Sequence, residues 1–101
     1  MVWIDEGGAT VARTNPDGAP ELRSVVREPA DQVDPQHLLA RVVDEIGDRE
    51  RVVILGPGWS RTALEREYVT IYQRPDRLVD VELADAEERE HLVERLIALS
   101  R

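Results

Sequence analysis

The chain has 101 residues, 42% of them apolar, and a formal charge of −8. That length suits one domain with a single core, and the acidic balance weighs against autonomous nucleic-acid binding, because it opposes a phosphate backbone. Cysteine, lysine and phenylalanine are absent, which excludes disulfides and thiolate-held metals and leaves a core of Val, Leu, Ile and Ala.

Met1-Val2-Trp3-Ile4-Asp5 has no basic residue and no long apolar run, so secretion and membrane insertion are not expected, and a cytoplasmic protein is. Val2 to Ile4, the turn Asp5-Glu6-Gly7-Gly8 and Ala9 to Arg13 predict a β-hairpin whose glycines supply positive φ. Asn15-Pro16-Asp17-Gly18 is a second turn, followed by a third strand over Leu22 to Val26. Glu28 to Val33 is a polar connector containing Pro29. Asp34-Pro35 then opens a helix as N-cap and first residue, with Leu38, Leu39, Val42, Val43 and Ile46 on one face and Gly47 at its end. Val52 to Leu55 is a strand, and a second helix carries Ala63, Leu64, Tyr68, Ile71 and Tyr72 as far as Pro75. Leu78 to Leu83 alternates, with Val79, Val81 and Leu83 on a covered side and Asp80 and Glu82 on a polar one, as in a strand near a sheet edge. Asp85 begins a last helix with an apolar stripe of Leu92, Val93, Leu96, Ile97 and Leu99. The expected class is therefore α/β: a single domain over residues 1–101, with a mixed five-stranded sheet in the order β-β-β-α-β-α-β-α, the order of ribonuclease-H-like folds.

The strongest candidate for chemistry is Gly56-Pro57-Gly58, where a strand ends in glycines and feeds a helix. Backbone N–H groups and a helix N-terminus there, with Gly56, Gly58, Ser60 and Arg61 around them, form a candidate anion- or partner-binding turn. Four features count against a phosphate cradle. Pro57 has no N–H, no lysine follows, the third glycine of a dinucleotide-binding turn is replaced by Arg61, and Glu65 and Glu67 bring negative charge to the same helix. The structural alternative is a sharp connection capped by Ser60 or Thr62, with Thr62 and Glu65 as a capping box. In that reading the glycines shape the turn and hold no ligand.

Other constellations are weaker. Asp5, Asp44 and Glu45 could be assigned to two walls of a two-metal nuclease site, but the fourth strand ends in Leu55-Gly56 and supplies no third carboxylate. No metal and no cofactor is expected. His37 and His91 stand on different helices without a second histidine at i+4 and read as exposed helix residues. Ser24 and Ser60 have no histidine at a telling spacing. Trp3 and Trp59 read as packing residues in a core without phenylalanine. The Ile4 to Thr10 hairpin is like the first phosphate loop of sugar kinases, yet this chain supplies only about half of one lobe of that fold.

Val2-Trp3-Ile4-Asp5, Ala9-Thr10-Val11-Ala12, Val52-Val53-Ile54-Leu55-Gly56-Pro57-Gly58 and Leu78-Val79-Asp80-Val81-Glu82 resemble small bacterial release-factor-like proteins of the translational machinery. These are similar to the middle domain of the archaeal and eukaryotic class-1 peptide release factor and of Pelota. The resemblance covers nearly the whole chain and implies a ribonuclease-H-like domain with a partner at the ribosome. That family carries a catalytic Gly-Gly-Gln loop between the third strand and first helix. Here the interval is Glu28 to Asp34 and lacks the tripeptide, so peptide release is not expected and no residue is assigned as catalytic. The expectation is a non-catalytic release-factor-like module associated with the ribosome or a translation-associated protein. The alternatives are a general protein-interaction or self-associating domain, compatible with a homo-oligomer, and more weakly anion or nucleotide binding at the glycine turn.

Overall fold

In a computed structural model, which describes residues 1–99 without the side chain of Leu99, three antiparallel strands come first. They are β1 (Val2–Asp5), β2 (Gly8–Thr14) and β3 (Pro20–Val26). Two helices follow, α1 (Pro29–Val33) and α2 (Pro35–Ile46), then strand β4 (Val52–Gly56) and helix α3 (Ser60–Tyr72). A 3₁₀ turn at Pro75–Arg77 leads into strand β5 (Leu78–Leu83), helix α4 (Ala86–Glu90) and helix α5 (Leu92–Leu99). The sheet order is β3-β2-β1-β4-β5. β1, β4 and β5 run parallel, and β2 is antiparallel to both its neighbours. The chain is thus α/β with a mixed five-stranded sheet, as its sequence predicts.

Two-residue alternation sorts the central strands between two cores. Val2, Ile4, Val11, Val52 and Ile54 face α2 and α3, where Leu38, Val42, Leu64 and Tyr68 pack on them. Trp3, Ala12, Val53 and Leu55 face the other way and meet Leu92 and Leu96 of α5. β4 is buried throughout because it lies inside the sheet under helices on both faces, which explains its unbroken apolar run. α2 follows its expected bounds: Asp34 Oδ1 accepts from Gln36 N–H (3.1 Å), Pro35 sits at its start, and Gly47 ends it at φ 75°.

Several local expectations are corrected. Only Gly8 of the first glycine pair has positive φ (145°), and a Cβ there would lie 2.2 Å from the Val25 carbonyl oxygen. The connector after β3 contains the short helix α1. The last helix breaks at His91 into α4 and α5. In β5 the register shifts opposite Val52 and Val53, and this bulge defeats strict alternation. Val79 and Leu83 are exposed, while Leu78 and Val81 pack on the core. Ile71 and Ile97 are also exposed, because the apolar stripes of their helices are wider than the surface they cover. Leu99, predicted in the α5 stripe, has its side chain outside the described residues.

Candidate functional site

Gly56 closes β4 beside the end of β1. A Cβ on Gly56 would stand 2.2 Å from the Ile4 carbonyl oxygen, so the close approach of β1 and β4 itself requires glycine. Gly58 is different: nothing lies within 4 Å of its would-be Cβ, and its φ is not positive. Gly58 therefore shapes the turn without left-handed backbone.

The helix that follows starts without a side-chain cap. Trp59 occupies the N-cap position in helical conformation (φ −69°, ψ −22°) and makes no capping bond. Its carbonyl accepts from Thr62 N–H (3.1 Å) and Ala63 N–H (3.2 Å). Neither Ser60 nor Thr62 caps, and the Thr62–Glu65 box does not form at this helix start. The physical reason is register: helical geometry begins at Trp59, which places Ser60 and Thr62 inside the first turn instead of before it.

Arg61 turns back on its own loop, donating from Nη1 to the Gly58 carbonyl (2.5 Å). One of its donors is thereby used within the turn. Trp59 is 74% exposed with the Arg66 guanidinium 5.9 Å from its ring centroid, so its expected packing role is corrected. Trp3 does pack: it is buried, its Nε1 donates to the Asp85 carbonyl (2.9 Å), and Arg89 lies over its ring.

Of the four turn residues, Ser60 reaches a cavity. The cavity, of about 380 Å³, opens between the end of β1 and the starts of α2 and α3, with Asp5, Arg27, Asp31, Pro35 and Ser60 in its wall. Two of its charged side chains bond to nearby backbone. Asp5 Oδ1 accepts from Gly7 N–H (2.8 Å), and Arg27 Nη1 donates to the Glu6 carbonyl (2.9 Å).

Asp31 is the unexpected member. Its side chain is fully buried (0% exposed). Oδ2 accepts from Glu28 N–H (2.6 Å) and from Arg41 Nη2 (2.7 Å), and Oδ1 lies 2.7 Å from His37 Nδ1. The backbone bond from Glu28 leads, with His37 and Arg41 adding to it, in holding the carboxyl below its ordinary pKa against the opposing cost of burial. An ionised carboxylate only accepts, so the shared proton sits on His37 Nδ1 and Nε2 points away from it. An aspartate-oriented imidazole is the form a general base takes, but His37 does not line the cavity that Asp31 reaches. The arrangement instead pins α1 to α2. Sequence reading treats Glu28 to Val33 as a connector and His37 as unpartnered; the signal available was Glu28-Pro29-Ala30-Asp31, a helix start with an acid at its third position.

The remaining candidates are far apart. Asp5 lies beside Gly8, whereas Glu45 lies by Arg13 and Arg23 towards the opposite end of β2, and Asp44 is exposed. The His91 side chain, at the break between α4 and α5, lies 3.3 Å from Glu94 of α5. Among the described residues no group of three or more His, Asp or Glu side chains could hold a metal. No described helix is long and apolar enough to cross a membrane. A second cavity, of about 400 Å³, opens at the other end of the sheet around Met1, Arg13, Arg49 and Val79. Burial, with a smaller contribution from Arg49, lowers the Met1 amine there to a pKa of about 6. Compared with protein-family models, with curated proteins and with solved structures, the chain finds no match.

Proposed function

We propose that this chain is a non-catalytic, release-factor-like module of ribonuclease-H-like topology that works through protein contacts at the translation machinery. The observation that carries the reading is the connection after β3. In the family that the sequence resembles, this interval holds the catalytic loop. Here it is the five-residue helix α1, fastened to α2 through Asp31, Arg41 and His37. A segment fastened through the buried Asp31 carboxylate is held against α2 instead of extending towards a distant ester. The sheet order β3-β2-β1-β4-β5 with β2 alone reversed supports the topological part of the reading. Contact with ribosomal particles then falls to protein surfaces, since the charge of −8 opposes direct binding to RNA.

The test is co-sedimentation with ribosomal particles from lysate at low and at moderate salt. Enrichment that persists at moderate salt is expected. Absence from the particle fraction at both salt concentrations overturns the reading.

A general protein-interaction domain, unrelated to translation, is the second reading. It is favoured by Trp59, an exposed aromatic beside a groove of about 230 Å³ that Gln36, Leu39 and Arg66 also line, since exposed tryptophans are common binding anchors. The weaker alternative, anion binding at Gly56-Pro57-Gly58, loses support because Arg61 is bonded to Gly58.

A further inference from the structure

β3 is an outer strand of the sheet, and it leaves two large apolar residues in solvent: Leu22 is 54% exposed and Val26 68%. Both lie on the face that Ala12 and Gly8, their partners on β2, share with them. Which backbone groups the edge offers follows from its ladder. Asn15 N–H bonds to the Ala19 carbonyl (2.9 Å) and Arg27 N–H to that of Gly7 (3.1 Å). Odd residues from 19 to 27 therefore bond inward to β2, and Pro20, Leu22, Ser24 and Val26 face outward.

We infer that this edge pairs with the same edge of a second copy, antiparallel, about a two-fold axis at Ser24. In that register Ser24 meets Ser24 of the second copy, and Leu22 meets Val26. The two exposed apolar residues of each strand thus cover those of the other. On the opposite face Glu21 meets Arg27, once on each side of the axis, so opposite charges face each other twice. Within its own chain Glu21 also pairs with Arg13 and Arg23, and Arg27 Nη1 donates to the Glu6 carbonyl. Ser24 and Leu22–Val26 pairing together make six backbone bonds across the axis. The Val26 carbonyl already accepts from Arg41 (2.8 Å) and takes the new bond on its second lone pair. Pro20, which lacks an N–H, falls beyond this ladder, where an edge proline costs nothing.

The other outer strand shows why the second copy belongs at β3. β5 carries Asp80 and Glu82 within six residues, and antiparallel registers centred on that strand bring like charges together, a common defence of sheet edges.

The pairing depends on β3 alone and is independent of the translation reading, so a negative co-sedimentation result leaves it standing. Its test uses charge reversal. Glu21→Arg puts arginine against Arg27 in its own dimer, and Arg27→Glu puts glutamate against Glu21, but an equimolar mixture restores both opposite-charge pairs. By sedimentation velocity at roughly 100 μM, the parent chain should be a dimer. Each variant should weaken dimerisation about tenfold or more, and the mixture should recover a heterodimer. Circular dichroism checks that each variant is folded. Because the chain has no cysteine, Ser24→Cys supplies a second readout on the otherwise intact strand. Under mild oxidation it should form a disulfide-linked dimer, the paired Cα atoms being about 5.5 Å apart, while Leu22→Cys should not. A monomeric parent, a dimer indifferent to both reversals, a mixture that stays monomeric, or crosslinking through Leu22→Cys in preference to Ser24→Cys each overturns the inference.

Discussion

The two connections that enter helices α2 and α3 differ in a way that their compositions conceal. Gly56-Pro57-Gly58-Trp59 looks like a ligand motif, yet its demands are steric and confined to one residue, with Gly56 against the Ile4 carbonyl. Glu28-Pro29-Ala30-Asp31 looks like surface filler, yet it contains Asp31, the one charged residue that is buried among the described residues. Glycine reports a need for space or for unusual backbone; it does not by itself report a ligand. A buried carboxylate reports a set of donors that must all be supplied together.

Substitutions separate the two kinds of constraint. The largest effect is expected at Gly56. Gly56→Ala forces a Cβ into the β1–β4 contact and should cost at least about 3 kcal/mol by denaturant titration; a smaller loss would mean that the strands can part. Next comes Asp31→Ala, which strands Arg41 and the Glu28 N–H and should lower the melting temperature by about 10 °C or more. If α1 is only decoration, the melting temperature stays where it was.

The pH response sharpens the Asp31 side. Because the fold lowers this carboxyl's pKa, its contribution is present above the usual carboxylate pKa and is lost as pH falls through the lowered folded value. Asp31→Asn should therefore differ most from the parent at neutral pH and converge with it as pH falls below the usual carboxylate range and through the lowered folded value. A constant difference at every pH would assign the defect to shape instead of charge. Smaller again is Gly58→Ala, which meets open space at ordinary φ and should fall between neutral and about 1 kcal/mol stabilising, read by melting. The smallest effect is reserved for Arg61→Ala. Inorganic phosphate should shift the melting of parent and variant alike, whereas loss of a phosphate-dependent shift in the variant would return ligand binding to the turn.

What could be read beforehand follows from period and length. α2 was legible because Leu38, Val42, Val43 and Ile46 repeat at helical spacing between a capping Asp34 and Gly47, and β4 because four apolar residues run without a break. α1 has five residues, too few for a period to emerge. The β5 bulge lies in pairing with β4, so no pattern within Leu78 to Leu83 encodes it. The exposure of Trp59 is not encoded locally, since it depends on where the helix axis runs past the turn. At the candidate site, the glycine requirement at Gly56 was visible as a tight turn. The Asp31–His37–Arg41 cluster was not, because its members are six and ten residues apart and meet only when α1 folds back on α2.

The short seam between β1 and β4, where Val2 meets Ile54 and Trp3 meets Leu55, has a consequence for how the chain folds. On one side of it the meander β1–β2–β3 is built from neighbours in sequence, and on the other so is the unit β4–α3–β5. Among the strand pairings only the seam joins partners about fifty residues apart, so within the sheet loop closure makes it the late and slow event. Native-state hydrogen exchange should then find the amides along this seam among the last to exchange, opening only with the whole molecule, while the outer turn at Asn15 to Ala19 exchanges through local fraying.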